Sequence, residues 1–569
     1  MADATERPTK RRSLTRQPTI DRAEVKSLCD TVVQEQLLGT SFRDGTLLPD
    51  LAKIHVANFA KLNKRSNKKP WGKLTWGSMC SGSEGAHFCM KACQDAMNDR
   101  HTASGQDDGL TASGQGAVEF RQLFACESES KKQAWIFHII NHERQQAGQP
   151  LICIFCDALD MGKGQAKCYT HGGTHCPVPD VDILILSTSC KDLSCLSKHK
   201  SSPVAVLGLQ RSPGGSADTF RGGLLSYLDN HSASLIFYEN SDHLADDANN
   251  GSDASNLDIF QAELSSRHFE GQSFILNGKL FGLPAQRRRF FGAYVSTTSD
   301  LFDFSSRTVS DQFSTMSALL HLCKRRCPPI CEVLLDEEDP RLESELVKRL
   351  EKPKPPLGTW VVDHQKEYSK YLKRWGSKPP CAATDKSKWL ETLTPYTKSI
   401  LVLHQFRLLA ADTQLVRKRA KTAVTGSAQA GRRMPRLMVD LNPSICRFST
   451  STYDDSNGVE IAPCILPQQL LWLHLYGDGQ EPRPMIGIES MLLQGWPVLQ
   501  VETEPWMDNA LFQSLAGNGV ALPILVALLS SVFEGLSWVG PACEHPGNDE
   551  DDAIKSAMAL LHEVQSSGA

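Results

Sequence analysis

The sequence predicts an α/β protein built on a doubly wound, mostly parallel β-sheet, with a smaller second domain late in the chain. Two observations lead to this prediction. Between residues 71 and 296, short apolar runs alternate with helical stretches, which is the pattern of strands joined by crossover helices. The alternation stops near residue 297 and returns near residue 484, so we expect residues 297–480 to form a separate region.

The elements follow in a regular order. We predict strands at residues 74–79, 120–126, 151–156, 181–187, 235–238, 269–276 and 290–295. Helices are predicted between them at residues 84–97, 130–145 and 256–266. After residue 297 we predict helices at residues 334–351, 485–493 and 521–533, of which the last two belong to a segment, residues 481–540, that returns to the first domain.

The bulk composition is that of a globular protein with 569 residues, 40% of them hydrophobic and 22% charged. The net charge of −4 means that any nucleic-acid contact depends on local basic patches. We find no signal peptide and no apolar run of about 18 residues, and we therefore expect no secretion and no membrane partner. The 18 cysteines are then expected to be reduced thiols, and the protein to be a monomer.

The two ends of the chain lie outside the predicted sheet. Residues 1–70 are expected to form a tail and a helical region at residues 23–55, and residues 541–569 an acidic tail. The run Lys10-Arg11-Arg12 fits a nuclear-import signal and a solvated tail equally well. On the first interpretation the protein is nuclear.

Reactive side chains follow the ends of the first three strands. The first strand runs into Cys80-Ser-Gly-Ser-Glu-Gly85, a glycine-bearing turn of the kind that lets a ligand reach a helix N-terminus. The second strand leads to Glu127 and the third to Asp157. Carboxylates at these positions suit the hydroxyls of a ribose and the amine of an adenine, so the sequence predicts an adenosine-containing cofactor.

Two further strand ends predict the chemistry. Cys190 lies just beyond the apolar run Val181-Asp-Ile-Leu-Ile-Leu186, and the next strand ends in Glu239-Asn240. A lone cysteine is more often an inert buried thiol. A thiol and a carboxyl group on neighbouring strand ends instead favour covalent catalysis on a heterocyclic base.

The order of these segments resembles the cytosine carbon-5 methyltransferase family, which uses S-adenosylmethionine. The resemblance runs from about residue 74 to residue 295 and resumes from about 484 to 532. It implies a Rossmann-like sheet of the class I methyltransferase type, with target recognition assigned to residues 297–480. The implied cofactor-binding residues are Cys80, Ser81, Gly82, Gly85, Glu127, Asp157, Asn518 and Val520.

The same resemblance implies the catalytic residues. Cys190 matches the family nucleophile and Glu239-Asn240 the pair that binds the target cytosine, while Arg287 and Arg289 match the two arginines of a conserved motif. The implied reaction is methyl transfer to carbon 5 of a flipped cytosine in DNA, through a covalent Cys190 adduct. Positive charge from Lys191 or the two arginines is expected to favour the thiolate.

A basic window lies inside the predicted recognition region. No acidic residue occurs between residues 413 and 439. The window contains Arg417, Lys418, Arg419, Lys421, Arg432, Arg433 and Arg436. Such a loop can bind phosphates, although a merely solvated loop fits as well. The loop at residues 194–200 is a further candidate for contact with the displaced strand.

Several positions depart from the family pattern, and two alternative functions stay open. Ser189 replaces a proline, Glu84 a glycine, Ala285 a glutamine and Ser241 a valine. Glu84 either crowds the cofactor or points outward. The alternatives are an RNA (tRNA) cytosine methyltransferase on the same scaffold and a catalytically silent DNA-binding protein. A dinucleotide dehydrogenase is disfavoured because the first turn lacks Gly-x-Gly-x-x-Gly.

No metal ligand is assigned from the sequence. The segment Cys168-x-x-His171-x-x-x-His175-Cys176 has residue types that suit a structural zinc. Its spacing is unusual, and Gly172-Gly173 also fits a plain loop. Cys323, Cys327 and Cys331 recur every fourth residue, but two prolines interrupt any helix there.

Overall fold

A seven-stranded mixed β-sheet lies at the centre of the structure, which is a computed structural model. It describes the following residues: 39–62, 72–103, 118–190, 192–193, 206–208, 214–246, 254–353, 360–375, 387–405, 407, 438–442, 449–454, 459–473 and 481–539.

The strands are numbered in chain order. They are β1 (Lys73–Met79), β2 (Glu119–Cys126), β3 (Cys153–Phe155), β4 (Gln165–Lys167), β5 (His175–Pro177), β6 (Val181–Ser187), β7 (Ala233–Ser241), β8 (Phe269–Asn277), β9 (Arg288–Ser296), β10 (Met438–Asp440), β11 (Thr452–Asp454), β12 (Val459–Ile461), β13 (Leu471–Leu473) and β14 (Arg483–Pro484).

The α-helices are numbered in the same way. They are α1 (Gly39–Arg43), α2 (Leu47–Leu62), α3 (Gly85–Ala103), α4 (Ser130–Ile136), α5 (Glu143–Gln146), α6 (Ser226–Asn230), α7 (Asn256–Ser265), α8 (Val309–Leu322), α9 (Ile330–Val333), α10 (Pro340–Glu351), α11 (Trp360–Trp375), α12 (Trp389–Thr392), α13 (Gly487–Leu492), α14 (Asn509–Asn518) and α15 (Leu522–Gly535). Two π-helical stretches, Phe137–His142 and Asp218–Leu225, join α4 to α5 and precede α6.

The sheet confirms the predicted fold class. Its strand order is β3-β2-β1-β6-β7-β9-β8. The first five strands in this order are parallel to one another, and β9 runs antiparallel to both β7 and β8. The strand order reverses between β1 and β6, so the crevice beyond the carboxyl ends of these two strands is the expected ligand site.

Strand β6 shows why the apolar runs become central strands. Ile183 and Ile185 pack into the hydrophobic cluster on one face of the sheet, and Leu184 and Leu186 into the cluster on the other face. Side chains of a strand alternate between the two faces, so a strand covered on both sides must be apolar throughout. The single break in the run, Asp182, accepts hydrogen bonds from the backbone and the hydroxyl of Thr75 on β1.

Helices from distant parts of the chain cover one face of the sheet. Helix α15 is almost entirely buried and packs against α2, α3 and α8. Helix α2 comes from the predicted N-terminal region, and α8 from the start of the predicted recognition region. Both therefore contribute to the core of the sheet domain, and backbone hydrogen bonds between Val539 and Leu301 and between Asp303 and Ser537 extend this contact.

The small strands between residues 438 and 484 form two separate sheets. Strands β10, β13 and β14 make an antiparallel three-stranded sheet, and β11 pairs with β12. Helix α10 begins at Pro340 rather than at the predicted residue 334. Asp339 caps it, while Leu334 and Leu335 are buried in the core. A charged helix with proline at its first position starts there because the proline needs no hydrogen-bond acceptor.

Within the described ranges, no single helix has both the length and the apolar character needed to cross a membrane. The consecutive pair α14 and α15, with a bend of 40°, meets those two criteria only when taken together.

Candidate active site

A pocket opens at the point where the strand order reverses. Its walls come from the carboxyl ends of β1, β6 and β7, from the turn after β1 and from the turn after α14. The empty space, including the part open to solvent, is about 530 Å³. Of the predicted cofactor residues, Cys80, Ser81, Gly85, Asn518 and Val520 line it, and so does the predicted catalytic residue Glu239.

The turn after β1 is tied to the end of β2. The amide of Ser81 donates to the carbonyl of Cys126 at 2.9 Å, and the Ser81 hydroxyl accepts from the Cys126 amide at 3.2 Å. Cys80 and Gly82 both have positive φ, at 53° and 56°. Gly82 adopts this conformation readily, whereas Cys80 is strained, as backbone at ligand sites often is.

Glu84 turns inward, which is the first of the two orientations that the sequence left open. Its φ is 61°, a conformation that favours glycine, which explains why a glycine would fit the position. The carboxyl group lines the pocket and accepts hydrogen bonds from the Ser78 hydroxyl at 2.7 Å and the Gln122 amide at 3.0 Å. Burial raises the pKa of Glu84 to about 7. Glu84 is therefore a wall of the pocket that exchanges a proton near neutral pH.

Glu127 holds the turn from its other side. One carboxylate oxygen accepts from the Gly82 amide at 2.8 Å and the other from the Glu129 amide at 2.9 Å. The second oxygen also accepts from the Ser128 hydroxyl at 3.5 Å, whereas the first keeps a free lone pair that can accept a ribose hydroxyl. Asp157 is exposed at the end of β3 and caps the short turn Ala158–Asp160 through the Leu159 amide. Neither carboxylate lines the 530 Å³ space itself.

Arg287 fixes the turn after α14. Its guanidinium donates to the carbonyls of Ile465, Gly517 and Gly519. The turn fits closely, because a Cβ atom on Gly519 would lie 2.6 Å from the Ser83 hydroxyl oxygen. Arg287 is 2% exposed, and burial lowers its pKa to about 10, which leaves it charged at neutral pH. The structure thus gives Arg287 backbone partners in the turn that carries Asn518 and Val520.

The loop that carries Cys190 is fixed by neighbouring polar groups. The Ser189 amide donates to the Thr219 hydroxyl at 3.1 Å, a bond that proline in this position would lack. The Asn240 amide group donates to the backbone carbonyl and the hydroxyl of Thr188, both at 3.0 Å, and to the Tyr238 hydroxyl at 3.1 Å. Asn240 is 1% exposed. Its side chain therefore joins the ends of β6 and β7 beneath the loop.

Glu239 connects the pocket to the cysteine. One carboxylate oxygen accepts from the Ser187 hydroxyl at 2.5 Å, and the other lies 3.6 Å from Arg289 Nε. The Arg289 guanidinium also donates to the Arg288 carbonyl at 2.8 Å and lies 3.9 Å from the sulfur of Cys464. Burial alone would lower the pKa of Arg289, but the nearby thiols and Glu239 raise it overall.

Cys190 is an exposed residue. Its thiol lies close enough to Glu239, Arg289 and Arg287 for their charges to change its pKa. Desolvation raises its pKa and the Glu239 carboxylate raises it further, while Arg289 and Arg287 lower it. The net shift is upward. The two arginines act in the predicted direction but do not outweigh the other two effects, so the resting cysteine is a thiol. Neutralising Glu239 would remove one cause of the raised pKa.

The structure thus brings together most of the residues predicted from the sequence. Cys190, Glu239, Asn240, Arg287 and Arg289 meet at the ends of β6, β7 and β9, beside the pocket. Two contributors were not predicted, Cys464 beside Arg289 and Ser187 beside Glu239, because nothing local in the sequence places them there. Lys191, the loop at residues 194–200 and the seven basic residues of the 413–439 window lie outside the described residues.

Comparison with known proteins agrees with the resemblance predicted from the motifs. No protein-family model matches the chain. The DNA (cytosine-5-)-methyltransferase DMT5 of Cryptococcus neoformans var. grubii is 24% identical over 477 residues, which cover 80% of this chain and 17% of DMT5. The chain therefore spans less than a fifth of that relative.

Two crystal structures of Dnmt2 proteins are also similar. The Schizosaccharomyces pombe Dnmt2 methyltransferase is 12% identical with a TM-score of 0.39, and the match covers 81% of this chain and 98% of that one. A mutant of Spodoptera frugiperda DNMT2 is 11% identical with a TM-score of 0.35, covering 81% and 99% of the two chains.

Proposed function

We propose that the protein transfers a methyl group from S-adenosylmethionine to carbon 5 of cytosine in DNA, through a covalent adduct on Cys190. The observation that carries this proposal is the position of Glu239. Its carboxylate lines the pocket and at the same time interacts with Cys190 and Arg289. Glu239, the residue expected to bind the base, is therefore next to both the nucleophile and the small-molecule pocket.

The pocket residues fit the cofactor. Backbone at Cys80 and Gly82 adopts the positive φ of a turn that a ligand approaches closely, and Glu127 keeps acceptor capacity for a ribose. The apolar wall of Phe237, Phe291 and Leu525 suits the ring of an adenine or the methionine chain. When bound, S-adenosylmethionine supplies an electrophilic methyl group on a sulfonium sulfur.

Each catalytic residue has a separate task. The Cys190 thiolate forms a bond to carbon 6 of cytosine, and the ring electrons move toward ring nitrogen 3. Glu239, when protonated, donates a hydrogen bond or its proton to that nitrogen, while Ser187 and Arg289 hold its carboxyl group in place. Carbon 5 would then take the methyl group as the carbon–sulfur bond of the sulfonium breaks and its electron pair stays on sulfur, and ring nitrogen 3 would return its proton to Glu239. Loss of the carbon-5 proton to solvent would leave its electron pair to form the double bond between carbons 5 and 6 and release the Cys190 thiolate.

Protonation of Glu239 and activation of Cys190 favour each other. The ionised carboxylate raises the pKa of Cys190, so a neutral Glu239 makes the thiolate easier to form. A cytosine that shares a proton with Glu239 therefore helps to generate the nucleophile. This coupling restrains the thiol from reacting until a base is present.

Asn240 and Arg287 are positioning residues in this proposal. Asn240 fixes the backbone at Thr188, two residues before the nucleophile, and Arg287 fixes the turn that carries Asn518 and Val520. The substrate is assigned to DNA because the 24% identical relative, DMT5, is a DNA (cytosine-5-)-methyltransferase. Nuclear localisation, on the basic run at residues 10–12, and a monomeric state belong to the same proposal.

The experiment uses cytosine analogues that trap the adduct. The protein is incubated with S-adenosylmethionine and duplexes containing 5-fluorocytosine, both unmethylated and hemimethylated, and the products are separated on a denaturing gel. Fluorine cannot leave carbon 5 as a proton, so a working enzyme stays attached to the DNA. We expect a shifted band with the wild-type protein and none with Cys190→Ser, while cofactor binding measured by calorimetry is the same for both.

Matched RNA probes distinguish the alternatives. A band with 5-fluorocytosine RNA and none with DNA would contradict the DNA assignment and favour the RNA methyltransferase. No band with any probe, with cofactor binding intact, would contradict the enzymatic proposal and favour the silent DNA-binding protein. Loss of cofactor binding in Cys190→Ser would mean that Cys190 is structural.

A further inference from the structure

We propose that the protein holds a structural zinc ion at the outer edge of the sheet, bound by Cys153, Cys168, His171 and Cys176. The three sulfur atoms and one nitrogen of the His171 ring all lie within 4.8 Å of one another. Cys153 belongs to β3, whereas the other three come from the hairpin formed by β4 and β5. The site is separate from the active-site pocket and does not depend on the proposed function.

The distances match a tetrahedral zinc site. His171 Nδ1 lies 3.2 Å from Cys176 Sγ, 3.3 Å from Cys168 Sγ and 3.8 Å from Cys153 Sγ. Zinc bonds of about 2.3 Å to sulfur and about 2.0 Å to nitrogen give nitrogen–sulfur edges of about 3.6 Å in a tetrahedron. A single ion at the centre therefore fits all four atoms with small adjustments. Three thiolates and one imidazole are a ligand set that zinc prefers.

The backbone builds this arrangement in a tight turn. The Cys168 amide donates to the Thr174 carbonyl at 2.8 Å, and the Gly173 amide donates back to the Cys168 carbonyl at 2.8 Å. Gly172 and Gly173 have φ of 66° and 86° and so reverse the chain within two residues. The glycines that fitted a plain loop in the sequence thus turn His171 toward the two cysteines.

The ligand set differs from the one suggested by the sequence. His175 is exposed and precedes Cys176 on β5, and neighbouring side chains of a strand point to opposite faces. The fourth ligand is instead Cys153, which lies 15 residues before Cys168 in the chain. Sequence spacing alone could not identify this ligand, because only the pairing of the hairpin with β3 brings Cys153 close.

The ion has a structural task at this position. Strands β4 and β5 have three residues each, and a hairpin of that size is marginal by itself. The hairpin covers the free edge of β3, where the Tyr169 amide donates to the Ile154 carbonyl at 2.7 Å and the Cys156 amide donates to the Lys167 carbonyl at 2.9 Å. Asp157, the predicted adenine ligand, is the next residue after Cys156. A zinc ion would therefore fix both the sheet edge and the position of Asp157.

The test begins with the metal content of the wild-type protein. Protein expressed in zinc-supplemented medium and purified under reducing conditions without chelator is expected to contain one zinc ion per chain by elemental mass spectrometry. The X-ray absorption spectrum at the zinc edge should fit three sulfur neighbours and one nitrogen neighbour, near 2.3 Å and 2.0 Å respectively. Because these measurements use the native chain, they do not depend on the folding of a variant.

Matched variants then identify the ligands. We expect His171→Ala and Cys176→Ser to lower the zinc content at least about tenfold, because each variant removes one of the four ligands of a closed zinc site. His175→Ala and Cys156→Ser change a neighbouring histidine and cysteine outside the set and should keep one ion per chain. Cobalt substitution should give thiolate charge-transfer absorption in the wild type and in His175→Ala.

Three results would overturn the proposal. The first is wild-type protein with no bound metal. The second is a disulfide between any two of Cys153, Cys168 and Cys176 in freshly purified protein, found by mass spectrometry without reduction. The third is loss of zinc in His175→Ala together with its retention in His171→Ala.

Discussion

Two glutamate–arginine pairs in this molecule differ in how completely their charges are satisfied. Glu489 and Arg483 are at most 4% exposed and form a bidentate pair at 2.7 and 2.8 Å, and the amides of Ile486 and Leu335 also donate to Glu489. Glu239 and Arg289 are 10% and 16% exposed, and their closest atoms are 3.6 Å apart. Each oxygen of Glu489 accepts two hydrogen bonds, so this carboxylate is saturated, whereas Glu239 keeps unused hydrogen-bonding capacity.

The difference shows what each pair does. A buried carboxylate with every acceptor position used orders the chain, here by joining β14 to α13 and to the segment that precedes α10. A pair that is close but not bonded keeps a carboxyl group in place and leaves it able to bind something else. We therefore expect changes at Glu489 to affect stability, and changes at Glu239 to affect chemistry.

The largest expected effect is that of Glu239→Gln on methyl transfer. Glutamine keeps the shape of the side chain but cannot supply a proton to ring nitrogen 3, so the rate should fall by about 10²- to 10⁴-fold. The melting temperature should change by less than about 2 °C, since the closest approach to Arg289 is 3.6 Å and the glutamine oxygen can still accept from Ser187. Single-turnover methylation and differential scanning calorimetry measure the two quantities.

Asp242→Asn is the matched control for this variant. Asp242 is a nearby carboxylate, 3.4 Å from Arg288, that does not line the pocket. We expect its methylation rate to stay within about threefold of the wild type. Equal losses of rate in the two variants would contradict the role given to Glu239.

The second prediction concerns Glu489→Gln, which tests the structural pair. Removing one charge leaves Arg483 buried without its counterion, and the free energy of unfolding should fall by about 3–5 kcal/mol. Urea denaturation measures this change. The variant Glu345→Gln, which loses a partly buried i,i+4 pair with Arg349 within one helix, should cost less than about 1 kcal/mol, because such helix pairs contribute a few tenths of a kcal/mol. A loss at Glu489 no larger than at Glu345 would contradict the comparison.

The third prediction is a pH dependence carried by Glu84. Burial raises its pKa from 4.5 to about 7, so the folded state holds the proton more tightly than the unfolded state does. The resulting contribution to the free energy of unfolding is fully present below pH 4.5. It is lost as the pH rises to about 7, and the total loss is roughly 3 kcal/mol. Glu84→Gln imitates the neutral form and should remove this pH dependence. Urea unfolding of both proteins between pH 4.5 and 7.5 tests it, and parallel stability curves would refute it.

The smallest expected effect is a change in the reactivity of the Cys190 thiol. The Glu239 carboxylate raises the pKa of Cys190, so Glu239→Gln should lower it, and iodoacetamide should modify Cys190 faster at neutral pH. Arg289→Gln should shift the pKa in the opposite direction. Peptide mass spectrometry at several pH values separates Cys190 from other accessible thiols such as Cys331. A slower reaction in Glu239→Gln would show that the carboxylate instead activates the thiol.

The sequence predicted the centre of the fold and most of the site because both depend on local patterns. The predicted strand at residues 181–187 coincides with β6, and the residues after each strand end mark the edge where they meet. The rule for ligand sites in open α/β sheets then predicts a ligand pocket at this edge. Little beyond apolar runs and strand ends was needed to place Glu239 and Cys190 together.

The features that the sequence did not predict depend on contacts between distant residues. The inward orientation of Glu84 follows from its hydrogen bonds to Ser78 and Gln122, and the partners of Arg287 lie more than 170 residues away in the chain. The three-residue strands β4 and β5 are too short to show a period. Without this hairpin, the sequence could not place Cys153 of β3 beside the candidate zinc segment.

The most direct test of the central claim identifies which thiol carries the trapped DNA. Three cysteines of the described residues lie around the site: Cys190, Cys80 in the pocket wall and Cys464 beside Arg289. The adduct with 5-fluorocytosine DNA is digested with protease and nuclease, and the modified peptide is sequenced by tandem mass spectrometry. We expect to find the nucleotide on Cys190 alone. A nucleotide on Cys80 or Cys464 would contradict it.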